Sequence, residues 1–281
     1  MNRTAAAAAM LLAAPLAAQA AEAPVLRFTW QPGQTWFERV TQTYTRQVDQ
    51  KGSKVPVEVK DTAETTLEVH IAKVEKGIAS LEVTMLRVKI KEPEEKLSWD
   101  SANKEAKPGK FAEVAELVGK TAVVRLDGRG ALVDAGLPGT GRTTLVIGVW
   151  EWPWLMIRPA LPESAPRSGM TWEPHPHDAV VLVDKIALTD KLVKFDGTTA
   201  TIEESRKEND KELGGIGRIS VVKDVATWVL DLATGATQEE VRERIERTSP
   251  SAYPTHSYVT RRVRIPPPPE RLRRDQPPVG K

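Results

Sequence analysis

The sequence predicts a mainly β protein with a minor α component, built from two related antiparallel modules that each form a sandwich or a partly open barrel. Three observations predict this class. Apolar and polar residues alternate in many short segments, Gly-containing turns separate these segments, and the motif Gly-x-Thr-Trp occurs twice, at residues 33–36 and 169–172. Period-two alternation is typical of strands with one buried face, and we expect one short helix near residues 111–118.

Residues 1–20 have the three parts of an export signal. Arg3 supplies positive charge, residues 5–18 form an apolar run rich in alanine, and Ala18-Gln19-Ala20 offers small residues for cleavage after Ala20. The run is shorter than the roughly 20 residues of a membrane span, and Pro15 interrupts it. We therefore expect a signal peptide and a secreted protein of the periplasm or the extracellular medium, without a transmembrane segment after signal cleavage.

The composition bounds the function. The chain of 281 residues has 40% hydrophobic and 28% charged residues, which is enough apolar content for an ordinary core. Because it contains no cysteine, disulfides, thiolate metal ligands, a thiol nucleophile and an acylated cysteine are excluded. The formal net charge of +2 gives no basic excess that would indicate nucleic-acid binding. No cofactor is predicted, and the sequence leaves the oligomeric state undefined.

The first β-rich module is predicted at residues 24–137. Its Thr-rich segment 36–48 favours a strand, although the spacing of its apolar residues also fits a helix. Clear alternation follows from Leu67, and Glu-Lys-Gly at 75–77 predicts a hairpin turn. The apolar positions of the next strand change parity between Met85 and Leu86, which predicts a β-bulge there.

The remainder of this module predicts a loop, the helix and a second hairpin. Residues 92–110 are charged and contain two prolines, so we expect a loop. Phe111, Val114 and Val118 then have helical spacing, and Gly119 is placed as a C-terminal stop. A strand pattern resumes at residue 121 around the turn Asp127-Gly128.

The second β-rich module is predicted at residues 166–265. Its predicted strands cover 180–186, a hairpin at 192–203 around Asp196-Gly197, 217–222, 225–237 and 258–265. Residues 237–248 fit a helix or a strand, and their position after a Thr-Gly turn favours a strand. The basic, proline-rich tail at 266–281 is predicted to be disordered.

The two modules share three landmarks in the same order. These are Gly-x-Thr-Trp, a Gly-centred hairpin and a Leu-Asp turn, and they predict an internal repeat, with chance as the alternative. The glycine of the motif suits a turn, and its Trp anchors the start of a strand in the core. The motif therefore predicts a structural role.

The chain resembles a family of bacterial exported proteins and lipoproteins, a domain of unknown function. The resemblance rests on Trp-x-Pro-Gly-x-Thr-Trp at 30–36, LVGKTAVVRLDGRGALVDA at 117–135 and WVLDLATGAT at 228–237. It implies β-rich, partly open barrel or sandwich-like modules without an assigned activity. The lipoprotein members carry an acylated cysteine, which this chain lacks.

Common catalytic motifs are missing from the sequence. Residues 136–143, GLPGTGRT, approach a phosphate-binding loop, but Arg142 stands where the loop requires lysine, so an inter-module linker is the favoured interpretation. No Gly-x-Ser-x-Gly occurs. The many acidic residues alternate with Lys and Arg, and we assign them to solvent faces.

A pair of histidines is the candidate metal site. His175 and His177 lie two residues apart, so on an extended strand both imidazoles would project from one face. The pair needs a third ligand, and only His70 and His256 remain among the histidines. A surface turn is the alternative interpretation, and a metal-dependent hydrolase is the alternative function.

A Trp-rich connector at residues 138–165 is the candidate binding site. Within it, LVIGVWEWPWLMIRP places three tryptophans within five residues, so we name as ligand-binding or partner-binding residues Trp150, Trp152, Trp154, Leu155 and Met156. A buried connector between the modules is the alternative. We predict an exported, non-catalytic binding or scaffold protein of the bacterial envelope, whose partner is a hydrophobic small molecule or an envelope protein.

Overall fold

The structure is a computed structural model that describes residues 25–48, 56–136, 158–173, 187–207, 211–212, 218–249 and 255–269. Within these residues lie a 3-10 turn at Gly109–Phe111, the helix α1 at Ala112–Ala115 and thirteen strands. The strands are β1 Thr35–Val48, β2 Val57–Glu75, β3 Ile78–Glu92, β4 Leu97–Asp100, β5 Thr121–Leu126, β6 Leu132–Gly136, β7 Thr171–Trp172, β8 Ala187–Phe195, β9 Thr199–Lys207, β10 Lys211–Glu212, β11 Arg218–Asp231, β12 Thr237–Ser249 and β13 Thr255–Ile265.

All thirteen strands belong to one antiparallel sheet. Its order is β6-β5-β3-β2-β1-β13-β12-β11-β9-β8-β7, with β4 beside β3 and β10 beside β11. The sheet is open in the described residues, with β6 and β7 at its two ends. The predicted class, mainly β with one short helix, is therefore confirmed, and the two halves join side by side through β13.

One face of the sheet holds the core because apolar residues alternate along the strands. In β2 the odd-numbered residues from Ala63 to Ile71 are buried, while most residues between them are only half-buried. We call this side the buried face; it carries Trp36, Leu67, Leu81, Val124 and Trp228. Burial of such a face supplies most of the free energy that stabilises a sheet.

The predicted bulge is confirmed in β3. Thr66 pairs with Arg87, whereas the next residue, Leu67, pairs with Met85, so Leu86 is the extra residue. Both Met85 and Leu86 are buried. The parity change in the sequence therefore marks the place where an inserted residue lets both apolar side chains avoid water.

The short helix and its stop also match the sequence. Phe111 and Val114 pack into the core, and Gly119 follows in the left-handed region at φ +81°. The Gly119 N–H donates to the Met85 carbonyl oxygen at 2.7 Å, which ties the end of the helical segment to the bulge. The region predicted as a loop, 92–110, differs in one respect, because β4 pairs with β3 and buries Trp99.

The ambiguous segment 237–248 is a strand, as its position favoured. Its central position between β11 and β13 satisfies the backbone groups on both sides. The strand predicted at 180–186 and the tail beyond residue 269 lie outside the described residues.

The two Gly-x-Thr-Trp motifs make the same backbone bonds. The Gly33 N–H donates to the Ile71 carbonyl oxygen at 2.8 Å, and the Gly169 N–H donates to the Leu192 carbonyl oxygen at 2.8 Å. The φ angles of the two glycines are +85° and +82°. Each glycine turns the chain so that the following Thr-Trp pairs with the neighbouring strand.

The two Leu-Asp turns also have the same construction. The Asp127 side chain accepts bonds from the backbone N–H groups of Arg129 and Ala131, and the Asp231 side chain accepts from those of Ala233 and Thr234. Register shifts occur beside both turns, at Leu126 and at Leu230. In both hairpins the aspartate side chain therefore stabilises the turn by accepting hydrogen bonds from backbone N–H groups that follow it in the sequence.

Candidate functional site

The residues predicted as sites lie outside the described structure. These are the Trp-rich residues Trp150, Trp152, Trp154, Leu155 and Met156, and the histidines His175 and His177. In the described part of the chain, no group of three or more His, Asp or Glu residues is placed to hold a metal ion. Nor does that part contain a helix with the length and hydropathy of a membrane span.

The other two histidines are separated by the sheet. His70 lies on the side opposite to the buried face, where its Nδ1 is 2.9 Å from Thr35 Oγ1. His256 lies on the buried face, where its Nδ1 is 2.7 Å from the Tyr44 hydroxyl. The two rings therefore cannot contribute to one metal site.

An N-terminal strap, residues 25–31, crosses the end of the sheet and links its two halves. The Phe28 N–H donates to the Gly128 carbonyl oxygen at 2.9 Å, and the Thr29 N–H donates to the Leu232 carbonyl oxygen at 2.8 Å. Phe28 and Trp30 are buried, with ring centroids 5.0 Å apart. The strap therefore bonds to both Leu-Asp turns and brings aromatic rings to the apolar end of the buried face.

A second segment, residues 158–161, reaches the same end of the sheet directly after the Trp-rich stretch. All four of its residues are buried, and the Leu161 N–H donates to the Arg129 carbonyl oxygen at 2.8 Å. The Ala160 carbonyl oxygen accepts a bond from Trp172 Nε1 at 2.8 Å. This segment therefore carries Arg158 into the protein interior.

The apolar part of the buried face extends across both halves of the sheet. In the first half it covers β1, β2, β3 and β5, and in the second it covers the ends of β8, β9 and β11 near the strap. The fully buried members across this surface include Val40, Leu67, Val69, Ile71, Leu81, Val83, Val124, Leu192, Ile202, Trp228 and Leu230. We call this surface the apolar floor; its residues form a large part of the hydrophobic core of the described structure.

Ionisable residues interrupt this floor in the second half of the sheet. They occupy neighbouring rows across β8, β9, β11, β12 and β13, and their buried or half-buried members are Asp190, Glu204, Arg206, Asp224, Glu240, Arg242, Arg244 and Arg262. The assignment of acidic residues to solvent faces is wrong for this set. In β12 the even-numbered residues Glu240, Arg242 and Arg244 lie on the buried face, while Val241 and Ile245 lie on the opposite face.

Arg242 lies at the centre of this ionic network. Its guanidinium is 2.6 Å from Glu204 Oε1, 3.4 Å from Asp224 Oδ1 and 3.5 Å from Glu240 Oε1. Burial would lower the pKa of Arg242, but the surrounding carboxylates raise it. In the same way, burial would raise the pKa of Glu204, but Arg206 and Arg242 lower it, so both groups stay charged.

Asp190 lies beside Glu204 but forms no ion pair with the arginines of this network in the described structure. It pairs across the strands with Glu204 and Trp172, it is fully buried, and neither carboxyl oxygen has a hydrogen-bond partner in the described structure. Burial, reinforced by the charge of Glu204, raises the pKa of Asp190 to about 8. Asp190 is therefore largely protonated at neutral pH.

An aromatic cluster lies farther from the strap on the same face. Tyr44 and Tyr258 stack with their ring centroids 4.8 Å apart, and Tyr44 also bonds to His256. Burial raises the pKa of both tyrosines, so both remain neutral hydroxyl groups at physiological pH. The cluster therefore contributes neutral hydrogen-bonding groups.

A donor cluster lies between the apolar floor and the ionic network; we define it as Arg158, Trp228 and Arg262. Trp228 and Arg262 flank Glu240 in one row of the sheet, and the Arg262 guanidinium lies 5.5 Å from the Trp228 ring centroid. Arg158 donates a bond to the Gly235 carbonyl oxygen at the turn that begins β12. Its guanidinium also lies 5.9 Å from the Phe28 ring.

Four donor nitrogens of the donor cluster have no hydrogen-bond partner in the described structure, although one of them, Arg262 Nε, lies 3.1 Å from Glu240 Oε2. The four are Arg158 Nε, Arg158 Nη2, Trp228 Nε1 and Arg262 Nε. A buried donor without a partner costs about 1–3 kcal/mol, and more when the group is charged. Burial lowers the pKa of Arg158 to about 10, so it remains a cation at neutral pH. The cluster is therefore a concentration of unused, partly cationic donors.

The sequence analysis did not identify the buried ionic network, and the reason can be seen in β12. The signal was the alternation Glu240, Arg242, Arg244, Glu246 in β12, which is as regular as that of an apolar strand. Regular alternation of charge shows that the charges share a face, but it does not show that this face is buried.

Comparison with known proteins bears on the fold. No family model matches this sequence, and no curated protein matches it. The structure is similar to a solved structure entitled lipid-protein interactions in lipovitellin, with a TM-score of 0.53, 11% sequence identity and coverage of 85% of this chain. The match spans 26% of that chain, so this protein corresponds to about a quarter of it.

A second solved structure gives a weaker match. It is an outer membrane channel from Pseudomonas putida F1, at a TM-score of 0.19 and 9% identity, covering 85% of this chain and 98% of that one. So low a TM-score supports no conclusion. Fold and site together define an open antiparallel sheet whose buried face combines an apolar floor with unpartnered polar groups.

Proposed function

We propose that this protein is a non-catalytic binding protein that holds a hydrophobic ligand against the buried face of its sheet. The observation that carries the proposal is the apolar floor, which spans both halves and is bordered by buried polar atoms without protein partners. An ordinary core leaves few such atoms. A binding site combines apolar walls with a small number of polar groups that orient the ligand.

The similarity of fold supports the same proposal. The solved structure that this chain resembles is described as showing lipid-protein interactions in lipovitellin. At 11% identity the likeness concerns the fold alone, and we propose binding from the residues of this chain. The Trp-rich residues 150–156 directly precede the buried segment 158–161 in the sequence, and on this basis we keep them as proposed ligand-binding residues, although they lie outside the described residues.

Binding is tested by extraction from the purified protein. The protein is expressed with its leader in a Gram-negative bacterium, isolated under mild conditions and measured by native mass spectrometry before and after solvent extraction. We expect a bound, solvent-extractable hydrophobic molecule. After extraction we expect rebinding of palmitate at about 1 μM or tighter, since each buried methylene contributes about 0.8 kcal/mol.

Two results would contradict this function. One is the absence of any extractable molecule combined with a tryptophan fluorescence that does not respond to palmitate or hexadecanol. The other is stoichiometric zinc that is lost on His177→Ala, because this result would favour the metal-dependent hydrolase instead.

We further propose that the protein acts in the bacterial envelope after export. The basis is the signal pattern of residues 1–20. Intact mass spectrometry of the protein from a periplasmic extract should show a chain that begins at Ala21. A cytoplasmic protein that retains Met1-to-Ala20 would contradict this proposal.

We also propose that the two halves are copies of one module. The shared bonds of the two Gly-x-Thr-Trp motifs and of the two Leu-Asp turns support this. The strand order supports it as well, because β6-β5-β3-β2-β1 and β12-β11-β9-β8-β7 run in the same direction across the sheet. The ligand would then be held by two related halves of different polarity.

A further inference from the structure

The donor cluster lies where the polar end of an amphipathic ligand would meet the apolar floor. Trp228 and Arg262 occupy the row that also contains Ile202 and Val40, both fully buried. Arg158 approaches the same region from the turn at Gly235. Apolar side chains therefore lie on both sides of these donors along the row.

The neighbouring carboxylates do not satisfy the donors. Glu38 is already engaged, because its Oε1 accepts from Trp36 Nε1 at 2.7 Å and its Oε2 accepts from Arg262 Nη1 at 3.5 Å. Glu240 Oε2 lies 3.1 Å from Arg262 Nε, but neither atom is aligned for a hydrogen bond. Glu38 and Glu240 therefore leave Arg158 Nε and Nη2 without a hydrogen-bond partner.

The arrangement of donors suits one kind of group. A guanidinium presents parallel N–H donors that match two oxygens of a carboxylate or phosphate, and such charge-assisted bonds are about twice as strong as neutral ones. An indole N–H adds a donor that cannot accept. A neutral alcohol head offers one oxygen and would leave most of these donors unsatisfied.

We propose that the donor cluster binds the anionic oxygens of a carboxylate or phosphate head, whose hydrocarbon tail lies on the apolar floor. This inference rests on the proposed function and deepens it, since it names the ligand as an acidic amphiphile. Arg158 is the principal contact, and Arg262 and Trp228 complete the set of donors.

The test compares three ligands that share a tail of sixteen carbons: palmitic acid, hexadecyl phosphate and hexadecanol. Each is titrated calorimetrically into the solvent-extracted full chain. We expect both acidic ligands to bind at least about 10-fold more tightly than hexadecanol, because charge-assisted bonds contribute about 1.5–3 kcal/mol each, or roughly 10-fold to 100-fold. The stronger of the two acids distinguishes a carboxylate head from a phosphate head.

Two variants locate the effect. Arg158→Met keeps a similar volume and should lower the affinity for the acidic ligands by about 10-fold or more while changing hexadecanol binding by less than about 2-fold. Trp228→Phe keeps an aromatic ring, removes one donor and should have a smaller effect in the same direction. Arg39→Met is the matched control, because 46% of the Arg39 side chain is accessible to solvent. This variant should bind all three ligands with the affinities of the unaltered protein.

The outcomes separate this inference from the function on which it rests. Equal affinity for hexadecanol and both acids overturns the acidic head and leaves a hydrophobic binding protein. Loss of hexadecanol binding in Arg158→Met along with the acids, with circular dichroism unchanged, also overturns it, because the residue would then act on the tail. Failure of all three ligands to bind overturns both proposals.

Discussion

The two halves of the sheet differ in polarity at positions that have the same place in their strand pairings. Val69 pairs with Trp36 in the first half, and Asp190 pairs with Trp172 in the second. At three such positions an apolar residue of the first half corresponds to an acid of the second: Val69 to Asp190, Val83 to Glu204, and Ala135 to Glu240. The first half therefore provides most of the apolar core, and the second provides most of the buried ionisable groups.

This difference teaches how one architecture can tolerate buried charge. Most of the buried acids of the second half have a basic partner on a nearby strand; for example, Arg242 on β12 lies 2.6 Å from Glu204 on β9, across β11. The first half also buries an acid on this face, Glu38 of β1, whose basic partner Arg262 comes from β13. A buried ion pair stabilises little by itself, but the loss of one partner is costly, so the charged residues had to be placed together.

The largest predicted effect comes from giving the first half the charge of the second. Val69→Asp would bury a carboxyl among side chains such as Leu67 and Val83, all of which are inaccessible to solvent. We expect the free energy of unfolding to fall by about 4 kcal/mol or more, measured by urea denaturation with circular dichroism.

The matched control is Val133→Asp, the same substitution at a residue that is 47% exposed. It should change the free energy of unfolding by no more than about 0.5 kcal/mol. Equal losses in the two variants would show that the first half does not depend on its apolar character.

An intermediate effect is expected where the N-terminal strap joins the halves. Gly235 has φ +70°, and a Cβ at this position would overlap the Trp30 ring. Gly235→Ala should cost about 2–4 kcal/mol, from about 1 kcal/mol of backbone strain and about 1–3 kcal/mol of overpacking. Thermal unfolding followed by tryptophan fluorescence measures this loss.

Gly197→Ala separates the two causes. Gly197 has φ +99°, but nothing lies within 4 Å of an added Cβ, so only the backbone strain of about 1 kcal/mol applies. A Gly235→Ala variant no less stable than Gly197→Ala would contradict the close packing of the strap.

The smallest predicted effect is a change in how steeply the free energy of unfolding depends on pH. The pKa of Asp190 is about 8 when folded, above its ordinary value of 3.8, so the folded chain holds a proton that the unfolded chain releases between these pH values. The stability that Asp190 provides is thus complete below about pH 4 and falls as the pH rises toward 8. Glu204 opposes ionisation of Asp190, and Arg206 and Arg242 favour it.

Asp190→Asn removes this titration. Between pH 5 and 8 its free energy of unfolding should fall less steeply than that of the unaltered chain, by up to about 1.4 kcal/mol per pH unit. The control is Asp196→Asn in the same hairpin, where backbone bonds from Thr199 and Thr198 lower the pKa of the aspartate. For this control the free energy of unfolding should depend on pH as it does in the unaltered chain, because Asp196 is ionised throughout this range. The same pH dependence in all three proteins would contradict the assignment to Asp190.

Most of the fold could be predicted from local signals. Alternation marked the strands, Lys76-Gly77 and Asp127-Gly128 marked hairpins, and the parity change at Met85 and Leu86 marked the bulge. These features depend on neighbouring residues in one or two strands, so a short stretch of sequence contains their cause. The small strand β4 was missed because only four residues pair, inside a highly charged segment.

The described part of the candidate site could not be predicted in the same way. Arg262 and Glu38 are separated by 224 positions and meet because β13 pairs with β1. Arg158 bonds to Gly235 from the described segment 158–170, which contains neither helix nor strand. No periodicity within either stretch encodes these encounters.

By itself, the sequence determined the class of the fold, the positions of the turns and the strand faces, because each follows from period-two alternation and from the backbone preferences of Gly and Asp. The tertiary structure decided which of two faces is buried. In β12 one parity carries Glu240, Arg242, Arg244 and Glu246, whereas on the other parity Val241 and Ile245 alternate with charged residues, and it is the first set that shares the buried face of the sheet. The physical reason is that burial depends on the partners which nearby strands supply, and here Glu204 of β9, Asp224 of β11 and Arg262 of β13 supply them.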